Sequence, residues 1–524
     1  MRTPDDAAPP AGAAPGGEPA PVVVGVDIGT TATKAVAFTR AGEQVACRSA
    51  GYPLEEPLPG RAEQDPRLIL AAVLETVRGV VEEVGAGRVA GLSFSAAMHS
   101  LLGLDAAGEP LTPLITWADA RAGAQAERLR AGPGGLELHR RTGTPVHPMS
   151  PLTKLVRFRE EEPGLCERVR CWAGIKEFVL LRLCGRLVTD HSLASATGLL
   201  NLQDLDWDAE ALSLAGIGPG KLPRLVPTTE VLPGLTPDAA RTTGLPRDTP
   251  VVVGAGDGPL ANLGLGAVRP GVVACSIGTS GALRVVVDRP VVDPRGRVFC
   301  YALAPGRWVV GGAVNNGGVV LGWAGDALAP DLGEGSAEEL LALAGRAPAG
   351  AGGLMMLPCL LGERAPHWIS IPRGAYVGLT RAHRREHLVR AALEGVCQQL
   401  ALVLESLRCA GLEVSEVRAT GGFARSPLWR QLLADVLGTD VSFARAHDGS
   451  GFGAALLGMQ ALGLVESVDV AAELVAVDTT VRPRAEDAAI HASLRPVFGG
   501  LHDALAPAFT ALRDLAPSLP LGRA

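Results

Sequence analysis

VVVGVDIGTTATKAVAF, residues 22–38, is two apolar runs around a small polar bend. Val22–Val26 is a β-branched run of the kind that fills a buried strand, and Lys34–Phe38 reads as the returning strand of a hairpin. Between them Asp27-Ile28-Gly29-Thr30-Thr31 turns the chain. A glycine at such a turn lets backbone N–H groups point one way, into a shallow nest that suits phosphate oxygens. Thr30 and Thr31 add hydroxyl donors, Lys34 adds a cation, and Asp27 is a carboxylate able to hold Mg²⁺ through water. The plainer reading is an ordinary hairpin with a Thr-rich turn.

Residues 272–287, VVACSIGTSGALRVVV, repeat the pattern. Ile277-Gly278-Thr279-Ser280 falls on Ile28-Gly29-Thr30-Thr31, again as strand, hydroxyl-bearing turn and strand. The copies differ chemically, because Ser276 replaces Asp27 and Leu283 replaces Lys34. Two domains of similar build, each giving one phosphate turn to a shared nucleotide, account for the duplication.

A chain of 524 residues exceeds what one core supports and implies two large domains. Hydrophobic residues at 47% and charged residues at 20% fit a globular protein. A net charge of −7 with few aromatics argues against nucleic-acid binding. No apolar run reaches membrane length. The first 20 residues, rich in Pro, Ala and Gly, lack the apolar core of a signal peptide and read as a disordered tail. The nine cysteines are scattered without zinc spacing, as expected of thiols in a reducing cytoplasm. Lysine occurs only at Lys34, Lys154, Lys176 and Lys221 among many arginines, a pattern left either by a need for a compact ammonium at those sites or by chance.

Strands at 43–51 and 89–94 bracket a helix over 66–84, with Pro66 in its first turn. The strand at 89–94 delivers Met98 and His99 at its end, and a short strand at 114–116 leads to Trp117, Asp119 and Arg121. A sugar or polyol needs an apolar face and paired donors and acceptors, which Trp117, Asp119, Arg121 and His99 can supply. A helix cap is the structural alternative for Asp119. Residues 189–197 form a polar stretch that either faces substrate or is a self-capping turn, the turn being favoured, and 204–248 read as irregular lid or connector. Val251–Val253 is a buried strand, and Asp257 follows it at the start of a helix that includes Pro259. That setting suits a base, although an N-cap is the commoner role for such an aspartate. Gly311–Gly318 leads into a helix near Trp323, and 386–408 is the strongest amphipathic helix. Strand 417–420 meets Gly421-Gly422-Phe423-Ala424, where glycine lets a base or ribose approach the backbone. Strands alternating with helices indicate an α/β fold with ligands at strand ends.

These segments resemble the FGGY carbohydrate kinases over about residues 22–480. Asp27–Lys34 and Gly278-Thr279-Ser280 match the phosphate turns, and Gly421-Gly422-Phe423-Ala424 matches the adenosine site. Gly374–Leu379 with His387-Leu388 and Ala391–Glu394 matches a second signature, while Met149–Leu155 matches the first except that Arg157 stands where Trp is usual. Met98-His99-Ser100, Thr116–Asp119, His147–Pro151, Gly174–Glu177, Asp257-Gly258 and Asn315–Gly318 resemble the gluconokinase branch. Gly362–Pro366 also fits that branch, and xylulokinases have something similar.

The resemblance implies two ribonuclease-H-like domains of actin/Hsp70 type around a cleft: 21–268 with the sugar site and 269–482 with the nucleotide site. Residues 483–524 would form a helical extension. It implies ATP and Mg²⁺ as cofactors, held by Asp27 (metal, through water), Gly29, Thr30, Thr31, Lys34, Gly278, Thr279, Ser280, Gly318, Gly421, Gly422 and Ala424. Substrate would meet Met98, His99, Trp117, Asp119, Arg121, Lys154 and Asp257, with Asp257 as catalytic base. The implied reaction is phosphorylation of D-gluconate to 6-phospho-D-gluconate. Alternatives are a xylulokinase or other pentulose or polyol kinase, and a non-catalytic ATP-binding sensor. Arg121, Lys154, His99 and His147 are candidates for a substrate carboxylate. The resemblance implies a cytoplasmic enzyme with a small sugar or sugar-acid substrate, no nucleic acid and no membrane, and it admits a homodimer.

Overall fold

A computed structural model of the protein describes residues 20–333, 337–369, 372–444 and 449–515. The expected N-terminal tail lies outside these residues except for Ala20, and so does the chain after Leu515.

The opening hairpin is the centre of a six-stranded sheet. Its order is Val231–Leu232, Val251–Gly256, Val89–Ala96, Val22–Ile28, Ala32–Thr39 and Gln44–Gly51. Val22–Ile28 runs antiparallel to Ala32–Thr39 and parallel to Val89–Ala96, which in turn pairs in parallel with Val251–Gly256. The second hairpin is the centre of a seven-stranded sheet of order Phe299–Ala304, Arg307–Val314, Gly281–Val287, Val272–Ile277, Glu416–Thr420, Val441–Ala444 and Val477–Val481. Apart from the added edge strand Phe299–Ala304, the two sheets share one sequence of parallel and antiparallel pairings. The repeated turn is therefore the visible part of a repeated domain.

The β-branched run is buried because both faces of its sheet are covered. Helix Pro66–Val84, capped by Asp65, covers one face with Ile69, Val73, Val77 and Val80. The other face is covered by helix Gly449–Ala461, which comes from the second half of the chain. A Cβ at Gly25 would collide with the Gly451 carbonyl, and one at Gly458 would lie 2.6 Å from Ser93 Cβ. Small residues thus let this helix lie close on the first sheet. Val23, Val36 and Phe38 consequently share one core with Val273, Leu283 and Phe452.

Residues 204–248 are more regular than their composition suggests. Asp208 caps helix Ala209–Ala215 and Thr236 caps helix Pro237–Thr243, each ended by a left-handed glycine. Val231–Leu232 adds the edge strand of the first sheet. Elements this short carry too few turns for periodicity to register. Helix Ala485–Leu515 ends the described chain and buries Phe498 and Phe509 against Leu357. No helix among the described residues is long and apolar enough to cross a membrane.

Candidate active site

Three neighbouring parallel strands, Val22–Ile28, Val89–Ala96 and Val251–Gly256, end together. They deliver the first turn, Met98-His99 and Asp257 to one edge of the first sheet. In the second sheet, Val272–Ile277 and Glu416–Thr420 likewise end side by side, with Ser276 opposite Thr420, and deliver the turn at 278–280 and the loop at 421–424. Gly421 has φ +123, and a Cβ there would strike the Ile277 carbonyl, so the loop packs directly on the root of the second turn.

The second turn is braced by the chain at 317–319. Gly317 N and Val319 N donate to Thr279 O at 3.0 and 3.3 Å, and Gly318 N donates to Gly278 O at 2.6 Å. Gly278 and Thr279 line a cavity of about 1260 Å³ with Gly318, Gly422, Phe423 and Trp429. Gly421 and Ala424 belong to the same loop but do not line it. Ser280, the next residue, lines a second cavity of about 250 Å³ with Thr30, Met98, His99, Trp117 and Asp257. One turn therefore has a large chamber on one side and a small polar chamber on the other.

Asp257 opens helix Asp257–Gly264, and its Oδ1 accepts from Gly258 N at 2.7 Å. Burial, then the nearby charge of Asp27, raises its carboxyl to about 6. Asp27 Oδ1 accepts from Ser95 Oγ at 2.6 Å and its Oδ2 from Ser450 Oγ at 2.8 Å. Lys34 stands opposite Asp27 across the hairpin and is half-buried; Thr31 is exposed. Gln64 Nε2 donates to Thr30 O at 2.7 Å, and Trp117 Nε1 to Thr30 Oγ1 at 3.0 Å, so the Trp117 ring is tied to the first turn. His99, at φ +65, is held by Ala196 O 2.7 Å from Nδ1. A carbonyl can only accept, so Nδ1 carries the proton and Nε2 is left as an acceptor. Burial pushes this imidazole down to about 3, so it is neutral.

Asp119, Arg121 and Lys154, expected to meet substrate, do not line the small cavity. Asp119, 2% exposed, accepts from Ala62 N and Arg121 N, and Arg121 pairs with Glu63 at 2.6 Å and Asp119 at 2.7 Å. Lys154 Nζ donates to His99 O and Thr116 O, both at 2.7 Å, and burial lowers it to about 7. These groups fix the backbone that carries His99 and Trp117. Of the four candidates for a substrate carboxylate, His99 alone lines the cavity. Arg157, where the family pattern has Trp, pairs with Glu161 at 2.8 Å.

Sequence reading missed the wall given by the second domain: Ser276, Arg284, Phe299, Tyr301, Arg364 and Trp368. Arg284 had a signal, as the lone charge within the apolar run Gly281–Val287. Arg364 also had one, since it lies in the Gly362–Pro366 segment of the family resemblance, whereas Tyr301 reaches the cavity only through tertiary packing.

Paired domains of this topology, each closing one turn on a common cleft beside a half-buried carboxylate, define a two-domain phosphotransferase. The chain belongs to the FGGY family of carbohydrate kinases: residues 22–264 match the family's N-terminal domain and residues 273–462 its C-terminal domain. It is 42% identical over 500 residues to a gluconokinase of Bacillus subtilis, covering 94% of this chain and 98% of that one. A xylulose kinase of the same organism is 32% identical over 457 residues, 86% of this chain and 90% of that one. A crystal structure described as gluconate kinase from Lactobacillus acidophilus superposes with TM-score 0.90 at 36% identity, covering 94% of this chain and 99% of that one. A ligand-bound structure described as xylulose kinase from that organism matches equally well.

Proposed function

We propose that the protein is a gluconokinase that transfers the γ-phosphoryl group of ATP to the 6-hydroxyl of D-gluconate. The observation that carries this reading is the position of Thr279 and Ser280, adjacent in one turn yet facing different chambers. The larger chamber is roomy enough for a nucleotide, and a Cβ at Gly278 or Gly422 would meet nothing within 4 Å, which leaves flat backbone for phosphate and base. In this reading Gly278, Thr279, Gly318 and the loop 421–424 hold ATP, while Gly29, Thr30, Thr31, Lys34 and Ser280 surround its reacting end. Asp27 suits Mg²⁺ held through water, since it is a carboxylate oriented by hydroxyl donors from Ser95 and Ser450 at the end of the strand that leads into the first turn. Bound there, the metal supplies charge neutralisation to the phosphate oxygens.

The small chamber aligns the acceptor. His99 Nε2 accepts from a substrate hydroxyl, the Trp117 face packs against the carbon chain, and Asp257 takes the proton of the attacking hydroxyl. Phosphoryl transfer requires mainly alignment and charge compensation, and a dry cleft keeps water from competing. Gluconate is favoured over xylulose because the gluconokinase relative is the more similar of the two over more of the chain. ATP consumption measured against gluconate, xylulose and glycerol tests the reading: gluconate should give the highest kcat/KM, and a higher value with xylulose would replace it.

A further inference from the structure

On the gluconokinase reading, we propose that the substrate carboxylate is bound by two guanidinium groups of the second domain, Arg284 and Arg364. Both line the small chamber. Arg284, 9% exposed, donates through Nη2 to Ser276 Oγ at 3.1 Å, while its Nη1 is buried with no acceptor among the described residues. Arg364 donates through Nη2 to Val314 O at 3.1 Å and lies with its guanidinium carbon 5.0 Å from the Trp117 ring centre; its Nε is buried without an acceptor among the described residues. Tyr301, whose ring stacks on Phe299 at 4.3 Å, has a third buried polar group, its hydroxyl, without a partner among the described residues.

The charge count points the same way. Neither arginine has a carboxylate within ion-pair distance among the described residues. Glu363, next to Arg364 in the chain, accepts from Asn315 N, Arg364 N and Asn316 Nδ2; its charge supports Arg364 from outside the chamber wall but does not bond the guanidinium. His99 is neutral, so the ionic groups on the chamber wall are two cations against Asp257. Buried like charges with unmet donors are costly, and a planar carboxylate that accepts two hydrogen bonds relieves both defects. A neutral ketose leaves the positive excess in place. The domain that grips the nucleotide thereby also selects the acidic substrate.

The test is a kcat-against-KM separation on the full chain with ATP saturating. Arg284→Met and Arg364→Met should each raise KM for D-gluconate roughly 10- to 100-fold, the range for a lost charge-assisted hydrogen bond, with kcat changed much less. Inhibition by D-glucitol, the neutral polyol of equal length, should change by less than about threefold, since only the carboxylate contact is removed. Arg284→Lys and Arg364→Lys keep the charge, should recover part of the affinity, and stand in should a methionine variant fail to fold. An unchanged gluconate KM in the variants, or equal weakening of gluconate and D-glucitol, overturns the assignment. Wild-type protein that turns over xylulose but not gluconate shows instead that the functional reading has failed, and the carboxylate site falls with it.

Discussion

Asp257 is a half-buried acid beside another acid, and that placement sets its titration. Its carboxyl is raised to about 6, and only the ionised form can accept a proton, so activity is lost as pH falls through that value. The kcat/KM profile for gluconate should therefore rise about tenfold per pH unit on its acid side and level above pH 6. A limb near pH 4 would place the essential carboxylate in water. His99, near 3, should add no second limb in this range. The scarcity of lysine was legible in the sequence, but its meaning was not. Lys154 and Lys221 each serve two carbonyl acceptors, and Lys176 forms a fully buried pair with Asp190 at 2.7 Å while donating to Ala255 O in the strand before Asp257. At these points a compact ammonium satisfies buried oxygens. Lys176→Met leaves Asp190 buried and uncompensated and should lower stability by roughly 3–5 kcal/mol in denaturant titrations. A loss below 1 kcal/mol would mean that water reaches the pair.

At the scale of elements, the two hairpins and their turns were legible because β-branched runs, glycine and hydroxyl residues act locally. The helices 66–84 and 386–408 were legible from their apolar stripes, and the structure has them at Pro66–Val84 and Arg385–Cys409. What the sequence could not reveal was which element leans on which. Glycine in the loop after Glu416–Thr420 is legible as a place for close approach, but its packing is not: Gly421 is the contact that seats the loop on Ile277. Gly421→Ala introduces both a collision and a strained φ, so it should displace the loop from the second turn. The KM for ATP should rise roughly tenfold or more, with gluconate KM changed less. Equal effects on both substrates would show that the loop does not belong to the nucleotide chamber.

Over the whole molecule, the family models and the repeated turns suggest separable halves, but the packing joins them. Helix Gly449–Ala461 lies on the first sheet, and Ser450 at its start hydrogen-bonds Asp27. Residues of both halves occupy one core. Heating should therefore give a single cooperative transition by calorimetry. A fragment ending at 268 should not fold alone, because Val23, Val36 and Phe38 would lose their cover. Two resolved transitions would show the halves to be independent. The same packing brings the acid of one domain to the turn of the other, and this convergence is the centre of the account. The most direct test of it is the Asp257→Asn variant, measured for gluconate turnover and for ATP affinity in the same preparation. Turnover should fall roughly 10²–10⁴-fold while the Kd for ATP is unchanged; turnover close to wild type would contradict the assignment of Asp257 as the base.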